Sequence, residues 1–179
     1  DIFKYRIKEI LESIYLDNSG RPTMRIERYA KNYDPNLSYD SMQWVLRDVW
    51  AANRTNTTSE KSEENVRYIK MAFPVTKERT WNGNAFNTLG ERMYSYTDMD
   101  VPRTVNGLSF DSTLMVTQIN TINLIEKKQY IEIYAKNIGM ISKETTDIYS
   151  GSITPSVPVT DRIEKGVKFK ATIVAYGTE

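Results

Sequence analysis

EKGVKFKATIVAYG, residues 164–177, carries the clearest strand pattern in the chain. Apolar residues occupy every second position from Val167 to Ala175, while the first three intervening positions are Lys168, Lys170 and Thr172. A period of two places these sets on opposite faces of a strand. The stretch therefore predicts an antiparallel strand with one buried and one polar face.

Similar alternation recurs along the chain and determines the predicted fold class. It covers residues 23–31, 65–75, 105–120 and 127–151, with Gly, Pro or Asn in the segments between them. Residues that favour strands are abundant, including 12 tyrosines. We expect an all-β fold of about seven to nine strands. It would be an antiparallel meander forming a curved sheet, closed as a lipocalin-like barrel or open as a half-barrel. Residues 1–179 would form a single domain.

Residues 3–16, FKYRIKEILESIYL, fit two patterns. Ile7, Ile10, Leu11 and Ile14 stand at the i, i+3, i+4 and i+7 spacing of a helix. However, DNSGRP at 17–22 supplies turn residues, and TMRIERYAK follows with strand alternation. We predict a long β-hairpin over residues 3–31, with a helix over residues 5–16 as the alternative.

Residues 42–50, MQWVLRDVW, raise the same ambiguity. Ser41 or Asp40 could cap a helix here. As a strand, the segment would place Trp44, Leu46 and Trp50 on one face. The pattern alone favours the helix, because a helical stripe of apolar residues is present. That stripe consists of Met42, Val45, Leu46, Val49 and Trp50.

The next segment, AANRTNTTSEKSEEN at residues 51–65, is polar throughout and has no hydrophobic periodicity. Neither a helix nor a half-buried strand gives such a pattern. We therefore predict that residues 51–65 form a flexible polar loop.

Missing residue types exclude several chemistries. The chain has neither histidine nor cysteine, which excludes Ser-His-Asp and Cys-His catalysis, disulfides, and zinc, haem or iron–sulfur sites that need those ligands. Net charge is +1, with the charges interspersed, and no phosphate-binding motif is present. We therefore predict no catalytic residue, no metal, no cofactor and no nucleic-acid partner. No polybasic run suggests an anionic membrane surface.

Carboxylates remain as catalytic candidates. Asp98 and Asp100 could act as an acid–base pair or bind a hard cation, but a solvated turn is the favoured interpretation, because no EF-hand-like spacing surrounds them. Glu132 and Glu144 lie in strand-like surroundings and could hydrolyse a glycoside if they faced each other across a cleft. A carboxylate-only hydrolase is the least favoured of the functions considered.

Aromatic side chains are the other resource for binding. Trp44, Trp50, Trp81 and Tyr134 could line an apolar cavity or stack on a sugar, so they are the candidate ligand-binding residues. Packing in the core or at its rim explains the same residues without any ligand.

TWNGNAF, residues 80–86, combines a tryptophan with a tight-turn sequence. Asn-Gly is a strong turn signal, so Asn82, Gly83 and Asn84 are predicted to form a structural turn. We expect Trp81 to fold back onto the sheet and Gly83 to adopt a backbone angle that other residues resist. Gly139 is predicted to permit a second turn or bulge.

Five motifs together resemble a known group of proteins. They are FPV at 73–75, WNGN at 81–84, NG at 106–107, EIYAKNIGMISKE at 132–144 and GVKFKATIVAYG at 166–177. The chain from about Tyr29 onward resembles uncharacterised lipoproteins of Bacteroidetes-type bacteria. Where that group has a glycine this chain has Asn137, which tolerates left-handed geometry. The resemblance implies a strand over residues 42–50, against the helical stripe, and we predict the strand.

The resemblance further implies export and a lipid anchor on a cysteine upstream of Asp1. The expected location is therefore the cell envelope, with membrane contact only through that anchor. We expect a non-enzymatic envelope lipoprotein domain whose concave face binds an apolar or amphiphilic ligand, such as a lipid, or a segment of an envelope protein partner. The alternative is a structural or adhesive surface module with a filled core.

Overall fold

A computed structural model describes residues 1–154 and 156–178 of the protein. Pro155 and Glu179, which the single-domain prediction includes, lie outside the described residues. Eleven strands form two antiparallel sheets, and two 3-10 turns, Tyr39–Ser41 and Val159–Asp161, are the helical elements of the described chain. The predicted all-β antiparallel meander is confirmed. Within the described residues neither sheet closes into a barrel, and a curved sheet or half-barrel is compatible with this arrangement.

The first sheet contains five strands in the order β1-β2-β3-β4-β5, so each strand pairs with its neighbour in sequence. Its two edges are β1 and β5. The strands are β1 (Tyr5–Leu16), β2 (Pro22–Asn32), β3 (Val45–Arg54), β4 (Thr58–Glu63) and β5 (Val66–Ala72).

The second sheet contains six strands in the order β11-β10-β9-β8-β7-β6. Its core includes a buried cluster of Phe110, Ala135 and Ile141, against which Ile133 and Ile173 pack. The strands are β6 (Thr80–Asn82), β7 (Met93–Val105), β8 (Leu108–Ile122), β9 (Glu126–Ala135), β10 (Gly139–Tyr149) and β11 (Lys165–Thr172).

The chain divides into two compact units, each containing one sheet. The first unit comprises Asp1–Phe73 together with Asn84–Gly90, and the second comprises Pro74–Gly83 and the chain from Glu91 onward. The expectation of a single domain stays a prediction, since compact units of this size can belong to one domain or to two.

The predicted hairpin over residues 3–31 is confirmed, and a helix over residues 5–16 is wrong, because β1 pairs with β2 along its length. Turn chemistry explains the outcome. Asp17 Oδ1 accepts hydrogen bonds from the backbone amides of Ser19 and Arg21, and the Arg21 guanidinium donates to Asp17 Oδ2 at 2.7 Å. These bonds, the Arg21 amide first, lower the pKa of Asp17 to about 2.

The strand predicted over residues 42–50 is confirmed from Val45 onward, and the helix is wrong. The expectation that Trp44, Leu46 and Trp50 share one face of this strand is also wrong. Leu46 lies opposite Tyr29 but Asp48 lies opposite Arg28, so the register shifts and Arg47 has no partner in the ladder. Such a bulge reverses the alternation of side chains along the strand, so that Trp44 and Leu46 project from one face and Asp48 and Trp50 from the other.

The flexible loop predicted for residues 51–65 is wrong. These residues form the end of β3, a turn held by the Thr55 hydroxyl, and all of β4. Hydrophobic periodicity missed β4 because its buried position is ionic. The Glu60 side chain is 3% exposed, and its carboxylate binds the guanidinium of Arg67 on β5 and the Thr58 hydroxyl.

The connection from β10 to β11 is closed by the Glu164 carboxylate. It accepts hydrogen bonds from the Ser150 hydroxyl, the Gly151 amide, and the amide and hydroxyl of Ser152. The Ser152 side chain and then the two amides lower the pKa of Glu164 from 4.5 to about 2. Since these donors favour the ionised form, deprotonated Glu164 fixes both ends of the connection.

Glu164→Gln is expected to cause a small loss of stability at neutral pH and a flatter acid profile. Because the pKa of Glu164 is lower in the folded state, its ionised carboxylate stabilises the fold fully above about pH 4.5. This contribution to stability is lost as the pH falls towards 2. Urea denaturation across this pH range measures both effects. Glu144→Gln, on a solvent-exposed carboxylate, is the control. An unchanged acid profile in Glu164→Gln would contradict the prediction.

Candidate binding face of the first sheet

Four strands of the first sheet bring residues from distant parts of the sequence into one row. Ser13 on β1 lies opposite Arg25 on β2, Arg25 lies opposite Ala51 on β3, and Ala51 lies opposite Ser62 on β4. Residues paired across a sheet project from the same face. We call the face that carries this row the pocket face.

A partly open pocket of about 430 Å³ lies along this row. Its volume falls within the range typical of small-molecule sites, roughly 300–1,000 Å³. Aromatic and aliphatic residues contribute to it together with hydroxyl, amide and guanidinium groups, so its lining is amphiphilic. The lining residues are Ser13, Tyr15, Arg25, Val49, Trp50, Ala51, Ser62 and Asn65.

Carboxylates of the first sheet neutralise the one cation in this lining. The Arg25 guanidinium lies 3.0 Å from Glu27 and 3.4 Å from Glu12. Tyr29 Oη donates to Glu27 at 2.6 Å, and this bond, ahead of Arg25, lowers the pKa of Glu27. The same hydrogen bond raises the pKa of Tyr29. The pocket therefore offers polar hydrogen-bonding groups without a free positive charge.

Of the four predicted ligand-binding aromatics, Trp50 alone borders the pocket, but it pairs with Ile26, the neighbour of Arg25, so its indole projects from the opposite face of the sheet. Its indole lies 4.6 Å from the Arg28 guanidinium and 4.5 Å from Lys61 Nζ, measured to the ring centroid. Trp44 lies instead beside Lys31 Nζ, at 4.5 Å, and Lys8 Nζ, at 5.4 Å. The bulge at Arg47 thus keeps the two tryptophans apart.

Trp81 is in the core of the second unit. Its side chain is 8% exposed, and its ring centroid lies 4.5 Å from that of Tyr96 and 5.9 Å from that of Tyr94. The expectation that it folds back onto the sheet is confirmed. A ligand-binding role for Trp81 stays a prediction that its burial does not favour.

Tyr134 belongs to a polar cluster on β9 and β10. Its hydroxyl donates to Glu132 Oε2 at 2.6 Å, and Lys143 Nζ lies 3.4 Å from Glu132 Oε1. Glu132 is 1% exposed, so this carboxylate is compensated by a hydroxyl and an ammonium group. Tyr134 and Trp50 lie in different units.

The predicted turn residues close the connection between β6 and β7. Asn82 Oδ1 accepts from the Arg92 amide, the Gly83 amide donates to the Arg92 carbonyl, and Asn84 Nδ2 donates to the Gly90 carbonyl. Gly83 does not have the positive φ that we expected. It is required for space, because an added Cβ would lie 2.3 Å from the Tyr94 ring.

The second predicted turn, at Gly139, has the expected backbone. Gly139 has φ +113° and opens β10, and Asn137 before it has φ 63°. Both values lie in a region that L side chains seldom adopt, with Asn among the more tolerant residues. The chain thus reverses between β9 and β10 where the sequence indicated.

The carboxylates considered for hydrolysis are not brought together. Glu132 pairs across the sheet with Lys143, whereas Glu144 pairs with Ile131, so the two glutamates project from opposite faces. Glu144 is exposed and lies 2.7 Å from Lys170.

The other acidic candidates lie in β7. Asp98 and Asp100 both have positive φ, at 49° and 56°. The Asp98 carboxylate binds Arg103 at 2.6 Å. No cluster of three or more potential metal ligands occurs among residues 1–154 and 156–178. No helix within the described ranges has the length and apolar character needed to cross a membrane.

Comparisons with protein-family models, with curated proteins and with solved structures gave no match. The resemblance to Bacteroidetes-type lipoproteins therefore stays a prediction.

Sequence reasoning missed most of the pocket. Tyr15, Arg25 and Ser62 come from three strands, and only the cross-strand register shows that they are neighbours. One signal was present in the sequence: the alternation in TMRIERYAK places Arg25 and Glu27 on one face. Their ion pair was predictable, but the pocket beside it was not.

Proposed function

We propose that this chain is a non-enzymatic cell-envelope lipoprotein domain that binds an amphiphilic ligand in the pocket of its first sheet. The observation that carries the proposal is the pocket of about 430 Å³ across four strands. Tyr15 and Val49 offer apolar surface to a hydrocarbon or ring, while Ser13, Ser62 and Asn65 offer hydrogen bonds to a polar group.

The neutralised charge of the pocket refines the ligand class. Arg25 is held by Glu12 and Glu27, so an anion would have to displace an existing ion pair. A ligand with an uncharged polar group and an apolar body meets no such cost. We therefore propose a neutral amphiphile, or a short partner segment that presents one apolar side chain.

Filling the pocket tests this proposal. Ala51→Phe places a ring in the row between Arg25 and Ser62, where the ligand would lose at least one well-packed apolar contact. We expect the affinity to fall at least tenfold, which corresponds to about 1.4 kcal/mol of binding free energy. Ala52→Phe, on the next residue and the opposite face, is the matched control. Binding is measured by fluorescence titration with a neutral detergent-like probe, and native mass spectrometry of freshly purified protein detects any ligand carried through purification.

Equal probe affinity in Ala51→Phe and the wild-type chain would contradict the pocket proposal. If native mass spectrometry also finds no ligand, the structural or adhesive module becomes the better function. One observation favours that alternative: edge strand β1 exposes Leu11, Ile14 and Leu16 at 64–71% of their surface. An unpaired apolar edge is suited to adding a strand from another chain.

The envelope location is proposed on the resemblance of the sequence motifs alone. Production of the natural gene product in a bacterial host with radiolabelled palmitate checks the anchor. The absence of label from the protein would contradict it.

A further inference from the structure

The start of β1 and the end of β2 form a surface that the pocket does not use. The backbone amide of Tyr33 donates to the Lys4 carbonyl at 2.9 Å, so the chain around Lys4 lies beside Tyr33. Tyr5 pairs with Asn32 directly after this contact. We call this region the N-terminal surface, defined by Ile2, Phe3, Lys4, Tyr5, Arg6 and Tyr33.

Large apolar side chains are unusually exposed on this surface. Ile2 is 88% exposed and Phe3 is 72% exposed, and about half of Tyr5 and of Tyr33 is exposed. Scattered single apolar residues need no explanation, but adjacent ones that border a charged region often mark an interaction site.

Two cations of this surface lie against tyrosine rings. Lys4 Nζ lies 5.2 Å from the Tyr33 ring centroid, and the Arg6 guanidinium lies 5.0 Å from that of Tyr39. Lys4 and Arg6 are two residues apart in an extended chain, so they project from the same face. Arg47 lies at the same end of the first sheet, where its guanidinium donates to Asn32 Oδ1 at 3.5 Å.

Contacts place three cations at this end of the sheet, Lys4, Arg6 and Arg47, together with the carboxylate of Asp40. Asp40 is the carboxylate that pairs with Arg6, at 3.5 Å, and its side chain is 90% exposed. An exposed pair of this kind contributes little and exchanges readily for another anion.

We propose that the N-terminal surface docks onto an anionic lipid bilayer. Ile2 and Phe3 enter the boundary between headgroups and acyl chains, while Lys4 and Arg6 contact lipid phosphates. Tyr33 lies at the headgroup level, the depth that tyrosine and tryptophan prefer at membranes.

The same features disfavour a single-stranded nucleic acid as the partner. Base stacking needs open aromatic faces. Here the Tyr33 and Tyr39 rings already lie under Lys4 and Arg6 of the same chain. Nucleic acid binding also gives no role to Ile2 and Phe3, whereas a bilayer accounts for both the apolar and the basic residues.

Vesicle co-sedimentation tests the proposal with the full chain. Binding to vesicles of phosphatidylcholine mixed with phosphatidylglycerol is expected to exceed binding to phosphatidylcholine alone, and to weaken at high salt. Lys4→Gln with Arg6→Gln is expected to lower the affinity about 25-fold, since each cation near an anionic surface contributes about fivefold. Ile2→Ser with Phe3→Ser is expected to lower it roughly tenfold or more.

Val167→Ser with Lys168→Gln on the exposed strand β11 is the matched control and is expected to bind as the wild type does. Phe3→Trp adds a direct probe, whose emission is expected to shift to the blue on anionic vesicles. Equal binding to both vesicle types, an equal loss in the control, or no shift in Phe3→Trp would overturn the proposal. Equally tight binding of soluble polyphosphate would overturn it in favour of a soluble polyanion.

Discussion

Gly83→Val is expected to lower the free energy of unfolding by about 3 kcal/mol, the upper part of the usual range for overpacking a filled core. A Cβ at this position would lie 2.3 Å from Tyr94 Cζ and within 2.6 Å of two further ring atoms. Tyr94 is 1% exposed, so the ring has no open space into which it could move. Urea denaturation with a fixed m-value measures the loss.

Gly177→Val is the control for this substitution. A Cβ at Gly177 meets nothing within 4 Å, and the residue is exposed, so this variant is expected to be as stable as the wild type. If the two valine variants lost equal stability, the close approach to Tyr94 would not be the reason why glycine occupies position 83. Gly83→Ala should lie between the two, because even its single methyl group overlaps the ring.

Trp81→Ala is expected to cost about 3–5 kcal/mol, the range for removing a large aromatic side chain from a core. The indole packs against Tyr96 at 4.5 Å and Tyr94 at 5.9 Å between ring centroids. Its loss leaves a cavity and removes two aromatic contacts. Thermal unfolding followed by near-ultraviolet circular dichroism measures the change, since the same rings generate the signal.

Trp81→Phe separates core packing from ligand binding. A phenyl ring keeps part of the contact with Tyr94 and Tyr96, so the loss of stability should be clearly smaller than in Trp81→Ala. A variant in which stability is unchanged but probe binding disappears would contradict the core assignment and restore Trp81 as a binding residue.

The fold class was predictable because the decisive signals are local. Alternation in residues 164–177 and the turn chemistry of Asp17 require no knowledge of distant contacts. The segment 42–50 was ambiguous because its apolar residues fit a helical stripe as well as a strand. Pairing with β2 decides it, and the bulge at Arg47 is a property of that pairing rather than of the segment.

β4 shows why polarity alone misled the sequence reading. Its one buried side chain, Glu60, is stabilised inside the first unit by Arg67, seven residues away on the next strand. A hydrophobicity pattern treats both residues as exposed. Charge pairing across a turn, compared at each alternative register, would have been the signal to use.

The binding surfaces depended on register in the same way. The sequence shows scattered cations and no polybasic run, yet β1 and β2 bring Lys4 and Arg6 beside Tyr33 and Tyr39. The pocket row likewise collects one residue from each of four strands. Such sites arise from pairing between segments, so composition and motif searches do not detect them.

The division of the first unit between two chain segments has a consequence during synthesis. Asn87 Nδ2 donates to the Arg67 carbonyl at 2.9 Å, and the Phe86 ring lies 5.4 Å from the Arg67 guanidinium, so residues 84–90 complete the surroundings of β5. Ribosomes add roughly 5–20 residues per second, which delays this segment by about a second or more after Phe73. During that interval the β5 edge of the nascent first sheet lacks these contacts and is accessible to chaperones or to neighbouring nascent chains, whereas the apolar side chains of β1 are exposed in the folded chain as well.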